Sequence, residues 1–226
     1  MSTRIAIVAG AGSGLGQATA LKLNSPGTTV IAVDRTEAGL KALPEGIHTE
    51  VADATDPTVA GPLVERLVSE VGPPDVLVNT IGAYELGDAL STTPEKLRQL
   101  MDVNLGTALW LTQAVVPQMM DRGSGAIVHV AARQGVEPSA GVAAYGVSKA
   151  ALVHLVRTLD VELRQRGIRV NVVLPQIIAT AKNKALFPPE ALAGAVEPEA
   201  IAELIAFLVS DAAAPTSGAV VPAYGG

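Results

Sequence analysis

The chain has 226 residues, 49% of them hydrophobic and 17% charged, which excludes wholesale disorder and allows a core without disulfide or metal staples. Sixteen Lys and Arg against 22 Asp and Glu leave a net charge of −6 with no long basic run, so a nucleic-acid partner is not expected. The absence of cysteine removes disulfide scaffolds, thiolate zinc sites and cysteine nucleophiles together. Met1 to Arg4 run straight into an apolar strand pattern rather than a signal peptide, and no apolar run approaches the ~18–20 residues of a membrane span. The expectation is a cytoplasmic protein with no membrane partner.

Ile5 to Ala9 reads as a buried strand and Leu15 to Leu23 as the helix after it. Val30 to Val33 is a second strand, followed by a short helix over Ala38 to Leu43 and a third strand over Ile47 to Ala52. Asp56, as N-cap, and Pro57, in the first turn, introduce a helix over Val59 to Val71. Val76 to Val78 is a continuous apolar strand, the pattern of a sheet covered on both faces. A loop over Ile81 to Thr93 leads to one long helix from Pro94 to about Met120, capped by Thr93. Ile127 to Val130 is a fifth strand, Ala143 to Arg166 a second long helix stopped by Gly167, and Ile168 to Leu174 a sixth strand. Gln176 to Pro198 has no clear period and reads as a loop with short helical pieces. A helix over Glu199 to Val209 and a strand near Ala219 to Val221 close the chain. Strand and helix alternate throughout, which predicts a doubly wound parallel sheet in three α/β/α layers.

The first strand ends in Gly10-Ala11-Gly12-Ser13-Gly14-Leu15-Gly16, with a helix directly after it. Glycines there admit positive φ and let a pyrophosphate approach bare N–H groups at a helix N-terminus. The spacing is G-x-x-x-G-x-G rather than G-x-G-x-x-G. Asp34, closing the second strand, can accept both hydrogen bonds of an adenosine ribose and would repel a 2′-phosphate, which favours NAD over NADP. Arg35 beside it keeps NADP(H) open, because a guanidinium can offset that repulsion. Asp53, placed at the end of the third strand, could reach adenine, although Ala52 to Asp56 also fits an ordinary turn. The fold expected is thus a single Rossmann-type domain over residues 1–226.

Tyr145 and Lys149 stand four residues apart, on one helix face. A phenol near pKa ~10 is a poor acid–base catalyst at neutral pH unless a fixed cation favours its ionised form. His48, His129 and His154 are scattered without metal spacing, so no metal site is expected, and His129 in its strand reads as a satisfied buried histidine. Asp160, Glu162 and the arginines around them read as a charged outer helix face.

With the glycine turn, Asp34, Asp53, Asn104, the Tyr145/Lys149 pair and Arg169-Val170-Asn171-Val172-Val173-Leu174-Pro175 followed by Thr180, the chain resembles the short-chain dehydrogenase/reductase family nearly end to end. The resemblance implies Tyr145 as general acid/base, Lys149 holding the nicotinamide ribose and biasing Tyr145, and Asn104 positioning a relay water. It further implies a cofactor site over Gly10, Gly12, Ser13, Gly14, Leu15, Gly16, Asp34, Arg35, Asp53, Ala54, Asn79, Tyr145, Lys149, Pro175, Ile178 and Thr180. NAD(H) is the preferred cofactor and NADP(H) the second. The implied substrate is a small carbonyl or conjugated imine, and the implied assembly a homodimer or homotetramer through the two long helices.

Three departures stand out. Ala132 occupies the place of a serine thirteen residues before Tyr145, Asn79-Thr80-Ile81-Gly82 replaces Asn-Asn-Ala-Gly, and Gln176 follows Pro175 where glycine is usual. Losing such a serine donor costs ~2.7–4 kcal/mol of transition-state stabilisation. In lacking it the chain is similar to the dihydropteridine-reductase-like subset, which works with tyrosine and lysine alone. Arg133, Gln134, Ser139 and Gln176 are candidate substitute donors. The alternative reading is a catalytically weakened cofactor-binding protein, acting as a sensor or oligomer partner.

Overall fold

The computed structural model describes residues 3–225; Met1, Ser2 and Gly226, and with them the first residues of the expected leader-free N-terminus, lie outside. Seven parallel strands form one sheet in the order β3-β2-β1-β4-β5-β6-β7. They are β1 (Arg4–Ala9), β2 (Thr28–Asp34), β3 (His48–Val51), β4 (Val76–Asn79), β5 (Gly125–Val130), β6 (Ile168–Pro175) and β7 (Val220–Ala223). The order reverses between β1 and β4, so the carboxyl ends of those two strands open the crevice where ligands of open α/β sheets bind.

Side chains alternate across the sheet, which splits the core in two. Ile5, Ile7, Leu77, Ile127 and Val170 face one cluster, with Leu67 of α3 (Ala60–Glu70), Leu111 of α5 (Thr107–Arg122) and Leu152 of α6 (Ala143–Leu163). Ala6, Val8, Val30, Val78 and Val128 face the other, with Leu15 of α1 (Gly14–Leu23) and Ile201 of α9 (Pro198–Val209). Both faces being covered explains why these strands read as unbroken apolar runs rather than alternating ones.

Several expected boundaries move. The helix expected over Pro94 to Met120 is three pieces: α4 (Pro94–Met101), a π-helical turn over Asp102–Gly106, and α5. Thr93 does cap α4, its hydroxyl accepting from the Lys96 amide at 3.3 Å. The short second helix is α2 (Glu37–Leu40). Asp56 is not the N-cap of α3: its carboxylate accepts from the backbone and hydroxyl of Thr58, in a turn that ends before the helix starts at Ala60. Asp53 does not end β3 but lies beyond Val51, where it accepts from the backbone and hydroxyl of Thr55.

Asp160 is not part of a solvated face. It is 3% exposed and accepts from Arg164 and from Ser217, tying α6 to the segment before β7. The irregular segment after β6 carries α7 (Ala181–Leu186) and α8 (Pro189–Leu192), as its short helical pieces. Among the described residues no helix is long and apolar enough to cross a membrane.

Candidate active site

The glycine turn runs from the end of β1 into α1 at the crevice between β1 and β4. Gly10 takes φ +83°, which side-chain-bearing residues rarely adopt. Gly16, in the first turn of α1, lies so close to the Gly10 carbonyl that a Cβ there would overlap it. Leu15 is buried beneath the turn and anchors it, while Ser13 is exposed at the helix start and makes no side-chain capping bond. The result is bare backbone at the N-terminus of a ten-residue helix, the surface a pyrophosphate needs. A dinucleotide therefore fits the residues present.

Asp34 ends β2 beside this turn. One carboxylate oxygen accepts from the Gly12 amide at 2.9 Å and the other from the Thr36 amide at 2.9 Å and hydroxyl at 2.6 Å. The side chain sequence reasoning aimed at a ribose thus also holds the glycine turn in register. Arg35 is exposed next to it. Asp53 is exposed in its Thr55 turn, and hydrogen bonds from Thr55 keep its carboxyl below the usual range. Ala54 is buried behind it.

Asn79 ends β4, buried, its Oδ1 accepting from the Ile81 amide at 3.0 Å. The π-helical turn carries the buried Asn104, whose Oδ1 accepts from the Ala83 amide at 2.9 Å. Its Nδ2 donates to the Ala83 carbonyl at 3.0 Å and to Ser148 Oγ at 2.9 Å. Asn104 is thus a clamp between α6 and the loop after β4. A π-turn in this position re-aims one helical side chain out of the regular series, and sequence periodicity does not register it.

Lys149 is 4% exposed and donates to the Val130 carbonyl at 3.0 Å. Its Nζ and Asn104 Oδ1 both lie about 3 Å from where a Gly82 Cβ would stand (3.0 and 3.1 Å). Burial lowers the ammonium from its ordinary value to about 8. Burial also raises the Tyr145 phenol above its ordinary value, with nearby Tyr84 adding to the rise. Both causes act in the same direction and no lowering by Lys149 accompanies them, so the phenol stays protonated at neutral pH. His129 is fully buried, its Nε2 3.1 Å from Thr112 Oγ1, but its Nδ1 has no partner among the described residues, so it is only half satisfied there. Burial, reinforced by the Lys149 charge, lowers it to about 3.

A cavity of about 170 Å³ lies against Tyr145. Ala132, Pro175, Gln176, Ile178 and Gln134 contribute to one part of its wall, and Tyr84, Asn183 and Phe187 to another. Tyr84 meets the Tyr145 ring edge-on at 4.9 Å between centroids, and Phe187 lies 5.9 Å beyond Tyr84. Thr180 stands just past this wall, its hydroxyl capping α7 by accepting from the Asn183 amide at 3.1 Å. Among the described residues no charged side chain lines the cavity. Sequence reasoning missed Tyr84, Asn183 and Phe187. Aromatic scarcity was an available signal: of three tyrosines and two phenylalanines in the chain, two and one meet here. Among the described residues no cluster of acidic and histidine side chains could hold a metal ion.

A parallel sheet with this crossover, a glycine turn at its switch point and a buried lysine one turn from a cavity tyrosine define a dinucleotide-dependent α/β enzyme. Residues 4–191 match the family model for short chain dehydrogenase, and the chain belongs to that family of NAD(P)-dependent dehydrogenases and reductases. It is 33% identical to the 3-oxoacyl-[acyl-carrier-protein] reductase FabG of Thermotoga maritima, over 99% of this chain and 97% of that protein. It is also 33% identical to L-xylulose reductase of Mesocricetus auratus, over 100% of this chain and 97% of the relative. Among solved structures, a short-chain type dehydrogenase/reductase from Mycobacterium ulcerans superposes with a TM-score of 0.91 at 26% identity, covering 99% and 89% of the two chains. A protein from Beutenbergia cavernae, provisionally assigned as an NAD(P) dependent gluconate 5-dehydrogenase and solved with NADP at low occupancy, gives 0.89 at 33% identity, covering 98% and 95%.

Proposed function

We propose that the whole chain works as one dinucleotide-binding domain that transfers a hydride between nicotinamide and a small uncharged carbonyl or conjugated imine, with Tyr145 as general acid/base. The observation that carries this reading is the phenol of Tyr145 in the wall of a cavity without charged side chains, one helical turn from the buried Lys149. When bound, reduced nicotinamide supplies the hydride that the carbonyl carbon accepts. Tyr145, neutral at pH 7, gives its proton to the substrate oxygen. Lys149 has further N–H bonds for ribose hydroxyls beyond the one at Val130, and its charge favours the phenolate left after proton transfer. Asn104 holds the loop carrying Tyr84 against the site and, through Ser148, the first turn of α6.

Gly10, Gly12, Ser13, Gly14, Leu15 and Gly16 would cradle the pyrophosphate, with Asp34 and Arg35 at the adenosine ribose and Asp53 and Ala54 at adenine. Asn79, Pro175, Ile178 and Thr180 would flank the nicotinamide. Asp34 supports NAD(H) as the preferred cofactor; exposed Arg35 and the NADP of the Beutenbergia cavernae relative support NADP(H) as a second. We place the enzyme in the cytoplasm as a homodimer or homotetramer, in the subset that works without the serine. Ala132, whose methyl lines the cavity in place of a hydroxyl, supports the second reading of a cofactor-binding protein with weakened catalysis.

Titration with NADH and NADPH, followed by oxidation of each against 2,3-butanedione, a ketose and quinonoid dihydropterin, separates the readings. Turnover of any of the three with tighter binding of NADH is the expected result. Tight cofactor binding without turnover of any would contradict the reductase and favour the sensor.

A further inference from the structure

The cavity at Tyr145 has five polar side chains in its wall: Tyr145 itself, Tyr84, Gln134, Gln176 and Asn183. Asn183 spends one N–H of its Nδ2 on the Ile178 carbonyl at 2.9 Å, on its own loop, which leaves one N–H and the amide oxygen. In Gln176 the oxygen is the engaged group and both N–H bonds are left. Its carboxamide oxygen accepts from Arg133 Nη1 at 2.9 Å, which leaves the NH2 as the free end of an oriented amide. Arg133 is itself fixed, by a 2.6 Å bond from Nε to Glu137 and by the Tyr224 ring 4.9 Å below its guanidinium.

Position matters as much as polarity. Ala132 follows β5 and Gln176 follows β6, and these strands are register neighbours, Val130 opposite Val173, with the Ala131 amide donating to the Val173 carbonyl at 2.9 Å. The two residues therefore leave the same end of adjacent strands and line the same cavity. Of the other candidate donors, Ser139 and Arg133 lie outside the wall, Arg133 being paired with Glu137. Gln134 and Tyr84 do line it, but among the described residues no hydrogen bond orients the Gln134 amide or the Tyr84 hydroxyl as Arg133 orients Gln176.

Resting on the reductase reading, we propose that Gln176, its amide oriented by Arg133, donates the hydrogen bond that holds and polarises the substrate oxygen beside Tyr145, a role Ala132 cannot perform. The absence of charge in the wall assigns an uncharged carbonyl compound as the substrate class, rather than a carboxylate or phosphate recognised by its charge. Gln176 is then a catalytic residue and Arg133 a positioning residue.

The probe is 2,3-butanedione, read in two ways: NADH oxidation, and calorimetric binding to the NAD+-loaded protein. Gln176→Ala should lower kcat/KM at least about tenfold, weaken dead-end binding about fivefold, and leave the NADH Kd unchanged. Gln176→Glu, which keeps the Arg133 contact but loses the donor, should lose as much and covers the case of an alanine variant that misfolds. Adding Ala132→Ser to Gln176→Ala should restore most of the loss. Arg133→Ala should lower kcat more than it raises KM, with Arg133→Lys recovering part of it. Gln176 variants that reduce butanedione as the wild type does overturn the proposal. A wild-type protein that reduces carboxylate- or phosphate-bearing carbonyls but neither binds nor reduces butanedione overturns the substrate assignment, whereas NADH binding without any carbonyl turnover sinks the underlying reductase reading.

Discussion

Asn104→Ala removes three hydrogen bonds at once: from the Ala83 amide, to the Ala83 carbonyl and to Ser148 Oγ. Ser148 keeps a partner, because its hydroxyl also donates to the Tyr145 carbonyl at 2.7 Å. The Ala83 amide and carbonyl keep none of the contacts Asn104 gives them. Each orphaned backbone group costs ~1–3 kcal/mol when buried and less where water can reach it. Asn104 is fully buried while Ala83 is only partly so, which sets the expected loss at about 2–3 kcal/mol. Urea unfolding at fixed protein concentration should show a lower midpoint with an unchanged slope. Hydrogen exchange at the Ala83 amide should accelerate sharply while amides in β1 and β5 keep their protection. A midpoint within about 0.5 kcal/mol of wild type, with Ala83 still protected, would refute the clamp.

His129 is held near 3 in the fold against an ordinary value of 6.5, so the unfolded chain takes up a proton first as pH falls. Stability should therefore drop between pH 6.5 and 3, by at most about 4–5 kcal/mol from this group, and His129→Asn should flatten that limb in urea titrations. The charge on Lys149 is lost as pH rises through about 8, so kcat/KM for carbonyl reduction should fall with an apparent pKa near that value. Gly16→Ala drives a Cβ into the Gly10 carbonyl and should weaken NADH binding at least about tenfold by fluorescence titration. Gly61→Ala, in open space on α3, should leave binding intact and stability within about 1 kcal/mol.

The sheet was legible because its strands are buried on both faces and therefore apolar without interruption, and because Gly167, in the left-handed region, marks a helix end. The π-turn at Asp102–Gly106 was not, since five residues of slightly wider helix leave the apolar spacing of Leu100, Ala108 and Leu111 readable as one helix. Asp53 and Asp56 each looked like an end-of-element residue, yet both fold into turns with a threonine two positions on, a local competition that residue type alone does not decide. Tyr145 and Lys149 were found by spacing, but burial, which dominates their protonation, comes from the tertiary fold. Tyr84 and Phe187 come from two segments about a hundred residues apart, and only the fold brings them to one wall. The Arg133–Gln176 pair, 43 residues apart in sequence, depends in the same way on β5 and β6 being neighbours.

Tyr145→Phe is the most direct test of the central claim, because it deletes one hydroxyl and keeps the ring that packs on Tyr84. In NADH oxidation against the carbonyl panel, the account predicts a loss of kcat/KM on the order of 10²–10⁴ with an unchanged NADH Kd. Turnover at the wild-type rate would contradict it.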